Sequence, residues 1–209
     1  MYESAQKVRR HPASRLGRRT GLLAAGLLAC SQAGAVFTFF PFATPRFIQL
    51  QVGSTGGTVN NVTFNVTGAN TSPTPTPVVG VPDGGTPTTT PAGGVRVRMR
   101  GQWNNGDQIL RLRVNSVAGM ACVPATGCGS TVIPFNTVSW TAFEKSNFTT
   151  FDIQNGSFTG GATQFLSQFS CCSGGTIEMA NTLVFTYNNS TLYPAGRYTG
   201  RVVFTASIE

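Results

Sequence analysis

The chain has 209 residues and a formal net charge of +8, and charged residues make up only 11% of it. Gly, Thr, Ser, Asn, Val and Phe are abundant, a composition that favours short strands and turns over helices and predicts an all-β protein. The only histidine, His11, lies in a segment that we expect to be removed, which excludes Ser–His and Cys–His dyads and histidine metal sites from the working protein. We therefore expect neither catalysis nor a cofactor.

Residues 1–35 have the pattern of a cleaved secretory signal peptide. A segment with six Lys and Arg residues precedes the apolar stretch 21–30, and Ala33-Gly34-Ala35 then supplies the small side chains that a signal peptidase requires. The apolar stretch is shorter than the roughly 20 residues that span a bilayer. We therefore expect export through the periplasm to the cell surface or the extracellular space, with no transmembrane span in the mature chain.

Three other fates of this leader stay open. The apolar stretch continues as an uncleaved anchor through Phe40, Cys30 becomes the lipidated N-terminus of a lipoprotein, or Arg18 and Arg19 direct twin-Arg export. Cleavage after Ala35 removes six of the fifteen basic residues and one of the seven acids, which lowers the formal net charge from +8 to about +3. The high isoelectric point therefore gives no reason to expect a nucleic-acid partner.

The chain beyond the leader divides into three segments. Residues 36–70 contain two candidate strands, 47–52 and 59–66, and are too short to form a domain, so their strands complete a sheet in this molecule or in a neighbour. Residues 71–94 hold six of the twelve prolines, among Thr and Gly, and predict a flexible loop or linker. The remaining residues, 95–209, are expected to form the body of a β-sandwich.

Two alternating stretches flank the dipeptide Asn105-Gly106, the strongest short signal for a β-hairpin. A two-residue turn there predicts an apolar face on which Met99 lies opposite Leu112 and Val97 opposite Val114. The other face then carries a single stripe of five basic side chains: Arg96, Arg98, Arg100, Arg111 and Arg113. In this pairing Arg100 lies opposite Arg111, and Arg98 lies opposite Arg113. The stripe is either a solvated face or the binding site of an anionic partner, namely an acidic glycan, lipopolysaccharide or an acidic patch on another subunit.

The four cysteines beyond the leader are expected to form disulfides, because an exported chain meets an oxidising compartment: Cys122, Cys128, Cys171 and Cys172. Their spacing lacks the paired C-x-x-C knuckles of a zinc site. A local Cys122–Cys128 bridge would leave Cys171 and Cys172 to form a vicinal ring. The preferred alternative is two crosslinks between the loop near Pro124 and the loop near Ser173.

The later part of the chain predicts further short strands. Residues 131–140 alternate, with Pro134 indicating an edge or a bend, and residues 148–153 and 156–158 are expected to be extended. The spacing of the apolar residues in 165–169 predicts one helical turn before the Cys171-Cys172 pair.

Two tryptophans, Trp103 and Trp140, are candidate glycan contacts, because aromatic faces bind the CH groups of sugars. Core or rim packing is the alternative role for both. Paired carboxylates are the remaining route to catalysis, and the sequence shows no such pair.

The last strands carry a family resemblance. Leu183, Phe185 and Tyr187 alternate, and the turn Tyr193-Pro194-Ala195-Gly196-Arg197-Tyr198 leads into a strand in which Val202, Phe204, Ala206 and Ile208 alternate. Residues 181–209 resemble the ending of secreted bacterial immunoglobulin-like sandwiches of the spore-coat-U-like and chaperone-usher pilin type. The resemblance implies an immunoglobulin-like, pilin-type antiparallel β-sandwich. It also implies that a neighbour's N-terminal extension completes the sheet, with residues 36–42 as the candidate donor strand and a self-contained sandwich as the alternative.

These features together favour a non-catalytic extracellular structural or assembly protein, a subunit of a bacterial pilus-like surface filament. Its expected partners are further copies of itself or other surface subunits. The alternative is an adhesin or carbohydrate-binding surface module that uses the arginine stripe and the tryptophans to hold an anionic glycan.

Overall fold

The structure is a computed structural model that describes residues 47–53, 61–83, 91–103, 108–145, 151–171 and 175–209. The described chain is all-β with antiparallel sheets and two short 3₁₀ turns, Gly68–Asn70 and Phe135–Thr137. The expected leader, residues 1–35, and the candidate donor strand, residues 36–42, lie outside the described residues. In chain order the described strands are β1 (Phe47–Val52), β2 (Val62–Thr63), β3 (Val78–Val79), β4 (Val81–Pro82), β5 (Val95–Trp103), β6 (Gln108–Asn115), β7 (Met120–Cys122), β8 (Val132–Ile133), β9 (Val138–Phe143), β10 (Gly156–Ser157), β11 (Gln164–Cys171), β12 (Gly175–Tyr187), β13 (Tyr198–Gly200) and β14 (Val203–Ile208).

The large sheet is built around β12. Its strand order is β1-β5-β12-β9-β10, and the short strand β3 pairs with the end of β12 at Thr186 and Tyr187. β1 pairs with β5 along its whole length, from Phe47 opposite Gln102 to Val52 opposite Val97. The N-terminal strand therefore completes a sheet of its own molecule.

A three-stranded sheet of order β11-β6-β14 packs against the large sheet. The inward side chains of β6 are Leu110, Leu112 and Val114, which are at most 1% exposed. At Gly101 of β5 the two sheets approach closely, because a Cβ atom there would lie 3.2 Å from both Cδ atoms of Leu110. Burial of each such aliphatic side chain stabilises the fold by about 1.5–3 kcal/mol. The core of the sandwich lies between these two sheets.

The predicted hairpin between β5 and β6 is wrong. Met99 pairs with Leu50 and Met179, whereas Leu112 pairs with Ser167 and Ala206, so the two strands belong to facing sheets. Alternation shows which side of a strand is buried. It gives the same pattern whether two apolar faces lie side by side in one sheet or oppose each other across a core. The turn itself, residues 104–107, lies outside the described residues.

Part of the expected flexible tract is attached to the sandwich. β4 pairs with β2, and the Gly80 amide donates a 2.8 Å hydrogen bond to the Phe185 carbonyl of β12. The side-chain amide of buried Asn189 donates to the carbonyl oxygens of Asn70 (2.8 Å) and Thr76 (3.1 Å). Residues 71–83 therefore contact the sandwich through strand pairing and hydrogen bonds, whereas the sequence predicted a flexible loop or linker. Residues 84–90 lie outside the described part of the chain.

Other local predictions had mixed outcomes. The segment at residues 165–169 is part of strand β11, so the predicted helical turn is wrong. The strand predicted over residues 131–140 is interrupted at Pro134, where a 3₁₀ turn separates β8 from β9. The alternation at the C-terminal end is confirmed by β12 and β14.

Candidate functional site

The structure divides the predicted arginine stripe between two surfaces. Arg96, Arg98 and Arg100 alternate with buried residues of β5 and lie on the outer face of the large sheet. Arg111 and Arg113 alternate with buried residues of β6 and lie on the outer face of the three-stranded sheet. The prediction of one five-residue stripe is therefore wrong. We call the first group the three-arginine surface and the second the two-arginine surface.

The two-arginine surface is partly neutralised by Glu209, whose carboxylate forms ion pairs with both Arg111 and Arg113. Arg111 also donates from Nε to the side-chain oxygen of Gln168 at 3.0 Å. Although loss of hydration acts to raise it, hydrogen bonds from Arg113 and Ser207 hold the pKa of the Glu209 carboxyl below its ordinary value. Both positive charges on this surface are therefore ion-paired within the chain, with one carboxylate shared between them.

An aromatic ring lies beneath the same two guanidinium groups. Phe165 of β11 is 56% exposed, and its ring centroid is 5.6 Å from Cζ of Arg111 and 5.0 Å from Cζ of Arg113. Contacts of this kind between a cation and a ring contribute about 0.5–1 kcal/mol at an exposed site. Both arginines are thus held by an acid and by a ring.

On the three-arginine surface, Arg98 forms a two-pronged ion pair with Glu178 of β12. The Nε–Oε1 distance is 2.6 Å and the Nη2–Oε2 distance is 2.7 Å. The hydrogen bond to Glu178 raises the pKa of Arg98, and the same hydrogen bond lowers the pKa of Glu178, in each case against an opposing effect of desolvation. Both carboxylate oxygens of Glu178 therefore accept a hydrogen bond from Arg98.

The other two arginines of this surface are less well matched. Arg100 Nε lies 3.8 Å from Glu178 Oε2, too far for a hydrogen bond, and its guanidinium lies 5.4 Å from the ring centroid of Phe47. The Arg96 guanidinium makes no hydrogen bond or ion pair with a described residue. Beside them is an open depression of about 270 Å³, lined by Gln51, Arg96, Arg98 and Glu178. This surface therefore carries more positive than negative charge.

Trp140 is a core residue, which corrects its assignment as a glycan contact. Its side chain is 5% exposed, and its indole Nε1 donates a 2.8 Å hydrogen bond to the Gln154 carbonyl. The rings of Phe158 and Phe185 pack against it at centroid distances of 5.0 and 6.5 Å. A ring so enclosed presents no face to a sugar. The side chain of Trp103, at the end of β5, lies outside the described part of the structure, so its assignment stays a prediction.

The disulfide is the local one. Cys122 and Cys128 are bonded, with Cα atoms 5.7 Å apart, so the preferred crosslinks from these cysteines to Cys171 and Cys172 are wrong. The two cysteines lie six positions apart in the sequence. The bridge can form because the residues between them make a tight turn, in which Ala125 adopts the left-handed region at φ 65°. Cys172 and the side chain of Cys171 lie outside what the structure describes.

The turn that carried the family resemblance holds this disulfide loop. A Cβ atom at Gly196 would lie 2.5 Å from Cys128 Sγ, so only glycine allows the turn to approach the bridge. Arg197 donates from its backbone amide to Thr126 Oγ1 at 3.0 Å and accepts from the Val123 amide at 2.8 Å. The sequence contains both parts of this contact, but 68 residues separate Cys128 from Gly196, and no local pattern connects them.

The sequence also gave no reason to single out Glu178 and Glu209. Both are predictable as outward residues, since each is adjacent to a buried or core-packed residue, Met179 or Ile208. Their partners follow only from the strand pairing, which places Glu178 directly opposite Arg100 and Ile208 opposite Leu110. The polar contacts of Glu178 and Glu209 on the two outer faces thus depend on nonlocal register, and so does that of Glu144, which accepts a hydrogen bond from Thr182.

The part of the chain that the structure describes contains no group of three or more His, Cys, Asp and Glu side chains able to hold a metal ion. Its most buried carboxylate, Asp152, accepts a 2.9 Å hydrogen bond from the side-chain amide of Asn181. Asn181 also accepts from the Ile153 amide at 2.9 Å. This network satisfies polar groups inside the core. Separately, none of the described helical segments has the length and apolar character needed to cross a membrane.

Comparisons with family models, with curated proteins and with solved structures found no match to this chain.

Proposed function

We propose that the protein is a non-catalytic, exported structural subunit that associates with further copies of itself in a pilus-like surface filament. The observation that carries the proposal is the open edge of β11. This strand is eight residues long and ends its sheet, with β6 on one side and no described strand on the other. Such an edge offers a row of backbone hydrogen-bonding groups to a strand from another molecule.

The edge has one regular segment suited to strand addition. A β-bulge at Leu166 shifts the register between Phe165 and Ser167, and the pairing with β6 is then continuous through Cys171. Bulges interrupt ladders, so an added strand would pair with residues 167–171. Five residues match the ordinary length of a short strand.

The added strand would come from residues that precede β1. Since β1 is fully paired with β5 of its own chain, residues 47–52 are occupied. The apolar stretch 36–42 would begin the mature chain if the leader is cleaved after Ala35. We propose that this stretch is the donor, in the manner of an immunoglobulin-like, pilin-type sandwich.

The Cys122–Cys128 bridge supports the exported location. Disulfides form and persist in the periplasm and outside the cell, whereas thiols in the cytosol are kept reduced. Together with the leader pattern in residues 1–35, the bridge favours a protein that folds after translocation.

The test is to shear the surface of expressing cells and to run the material without boiling. We expect ladders that resist detergent, loss of the ladders on deletion of residues 36–42, and strong weakening by Ser170→Lys, which places a charge at an exposed residue of the proposed pairing segment, residues 167–171. Leu192→Lys is the control, because it adds the same charge at a residue that is 64% exposed and lies outside the described strands. Monomers alone, or ladders indifferent to the deletion, would refute assembly through this edge.

A further inference from the structure

We propose that the three-arginine surface is a binding site for a linear acidic polysaccharide, one that carries carboxylate or sulfate groups along its length. This inference does not depend on assembly, because the outer face of β5 and the edge of β11 belong to different sheets.

The first argument is spacing. Arg96, Arg98 and Arg100 occupy alternate positions of one strand, so their Cα atoms are about 6.6–6.8 Å apart and the row is about 13 Å long. The cross-strand neighbours on the same face are short or flexible: Thr182 lies opposite Arg96, Gln51 and Ala180 opposite Arg98, and Gln49 and Glu178 opposite Arg100. The row is therefore flat enough for a polymer to lie along it.

The second argument is charge. Three guanidinium groups share one ion-paired carboxylate, that of Glu178. The carboxylate of Glu144 also lies on this face, hydrogen-bonded to Thr182, which is the cross-strand neighbour of Arg96, so three positive charges stand against two negative ones. The chain has seven acidic residues, and the structure describes five of them. Each of the five is engaged, in the pairs Asp83 with Asn61, Glu144 with Thr182, Asp152 with Asn181, Glu178 with Arg98, and Glu209 with Arg111 and Arg113. We therefore expect the excess positive charge of the three-arginine surface to bind an external anion.

The third argument is the chemistry of the groups. The planar fork of a guanidinium matches carboxylate and sulfate oxygens in pairs, which gives short, directional hydrogen bonds. A nucleic acid bound as a single strand would need exposed rings on which its bases stack. The aromatic ring described beside this row is Phe47, and Arg100 lies over its face. The surface therefore suits an acidic polysaccharide better than a nucleic acid.

The two-arginine surface provides a matched control. Arg96→Gln/Arg100→Gln and Arg111→Gln/Arg113→Gln each remove two positive charges from an outward strand face, so they change the net charge of the protein equally. In the second pair both arginines are already ion-paired, with the carboxylate of Glu209. A third variant, Glu178→Gln, removes the acid that competes for Arg98.

The experiment measures the Kd of the full chain, with its disulfide intact, for polygalacturonate, heparin, neutral dextran and a duplex DNA at a fixed salt concentration. We expect binding to at least one of the two acidic polysaccharides and none to dextran. The Arg96/Arg100 variant should bind at least about tenfold more weakly, Glu178→Gln more tightly, and the Arg111/Arg113 variant within about twofold of the parent. Thermal unfolding of each variant shows whether the fold is retained.

Three results would overturn the proposal. Equal weakening by both double variants would indicate general attraction to a basic protein. Binding of DNA as tight as that of the acidic polysaccharides, and equally sensitive to the Arg96/Arg100 change, would indicate a nucleic-acid surface. Absence of binding to either acidic polysaccharide would show that the surplus charge is simply solvated.

Discussion

The Leu110 side chain lies directly over the α-carbon of Gly101, so that β6 and β5 touch across the core instead of sharing a sheet. This contact explains why the arginines of β5 and those of β6 point away from each other. The apolar sides of both strands face inward, and the arginines therefore occupy opposite surfaces of the molecule.

Gly101→Val should destabilise the protein by about 1–3 kcal/mol, because the added side chain overpacks the space that Leu110 fills. Urea unfolding gives the free energy. Gly68→Ala is the control, since a Cβ atom at Gly68 meets nothing within 4 Å, and its midpoint should be almost unchanged. Equal stability of Gly101→Val and the parent would contradict the close approach of the sheets.

Gly196→Ala should destabilise the contact between the C-terminal turn and the disulfide loop. Its Cβ would lie 2.5 Å from Cys128 Sγ and 2.7 Å from Cys128 Cβ, so the loop must move. Thermal unfolding measures the loss. The same substitution in a Cys122→Ser/Cys128→Ser background should cost less, because an unbridged loop moves more freely, and equal costs in both backgrounds would argue against this mechanism.

Asn189→Gly should loosen residues 68–79 while leaving the sandwich folded. Asn189 has a φ of 51°, which glycine adopts readily, so the variant removes the side-chain amide without adding backbone strain. Two hydrogen bonds to the carbonyl oxygens of Asn70 and Thr76 are lost. Limited proteolysis or amide hydrogen exchange should report faster opening in this segment. If its amides were as well protected from exchange as in the parent, the pairing of β3 and β4 alone would be enough to hold the segment.

The ion pair between Arg98 and Glu178 should give a small stabilisation that depends on pH. Because the pKa of Glu178 is lowered by its hydrogen bond with Arg98, the contribution is present above the unfolded pKa and is lost as the pH falls through the folded value. The Glu178 side chain is 39% exposed, so we expect less than about 1 kcal/mol. Unfolding free energies of the parent and Glu178→Gln should differ near neutral pH and converge in acid. A constant difference across that range would assign the effect to packing.

Alternation in the sequence was enough to place several strands. Phe47–Val52 coincides with its predicted range, and the buried apolar residues of β5 and β6 follow a period of two, as do Leu183, Phe185 and Tyr187 of β12. Their partners were not predictable, because β5 pairs with strands about fifty residues before it and eighty residues after it. Register is fixed by packing across those distances, and local pattern carries no information on it.

The predicted helical turn at residues 165–169 failed for a definable reason. The bulge at Leu166 places one extra residue in β11, which breaks the alternation and leaves Phe165, Leu166 and Phe169 at intervals typical of a helix. The prediction of one arginine stripe failed for a different reason. The arginines of β5 and those of β6 were each placed correctly on an outer face, but the two strands belong to different sheets. Trp140 shows a third limit, because size and polarity alone do not separate a core indole from an exposed one.

The arrangement of the three-stranded sheet sets the order in which the chain can fold during synthesis. Its central strand, β6, takes both of its neighbours from later in the chain, at residues 164–171 and 203–208. Leu110, Leu112 and Val114 therefore gain their first neighbouring strand, β11, only after about fifty further residues, and their second, β14, after almost one hundred. A chain threaded N-terminus first through a membrane pore would emerge with this apolar face open, and the sandwich would close only in a late step, when β14 docks beside β6.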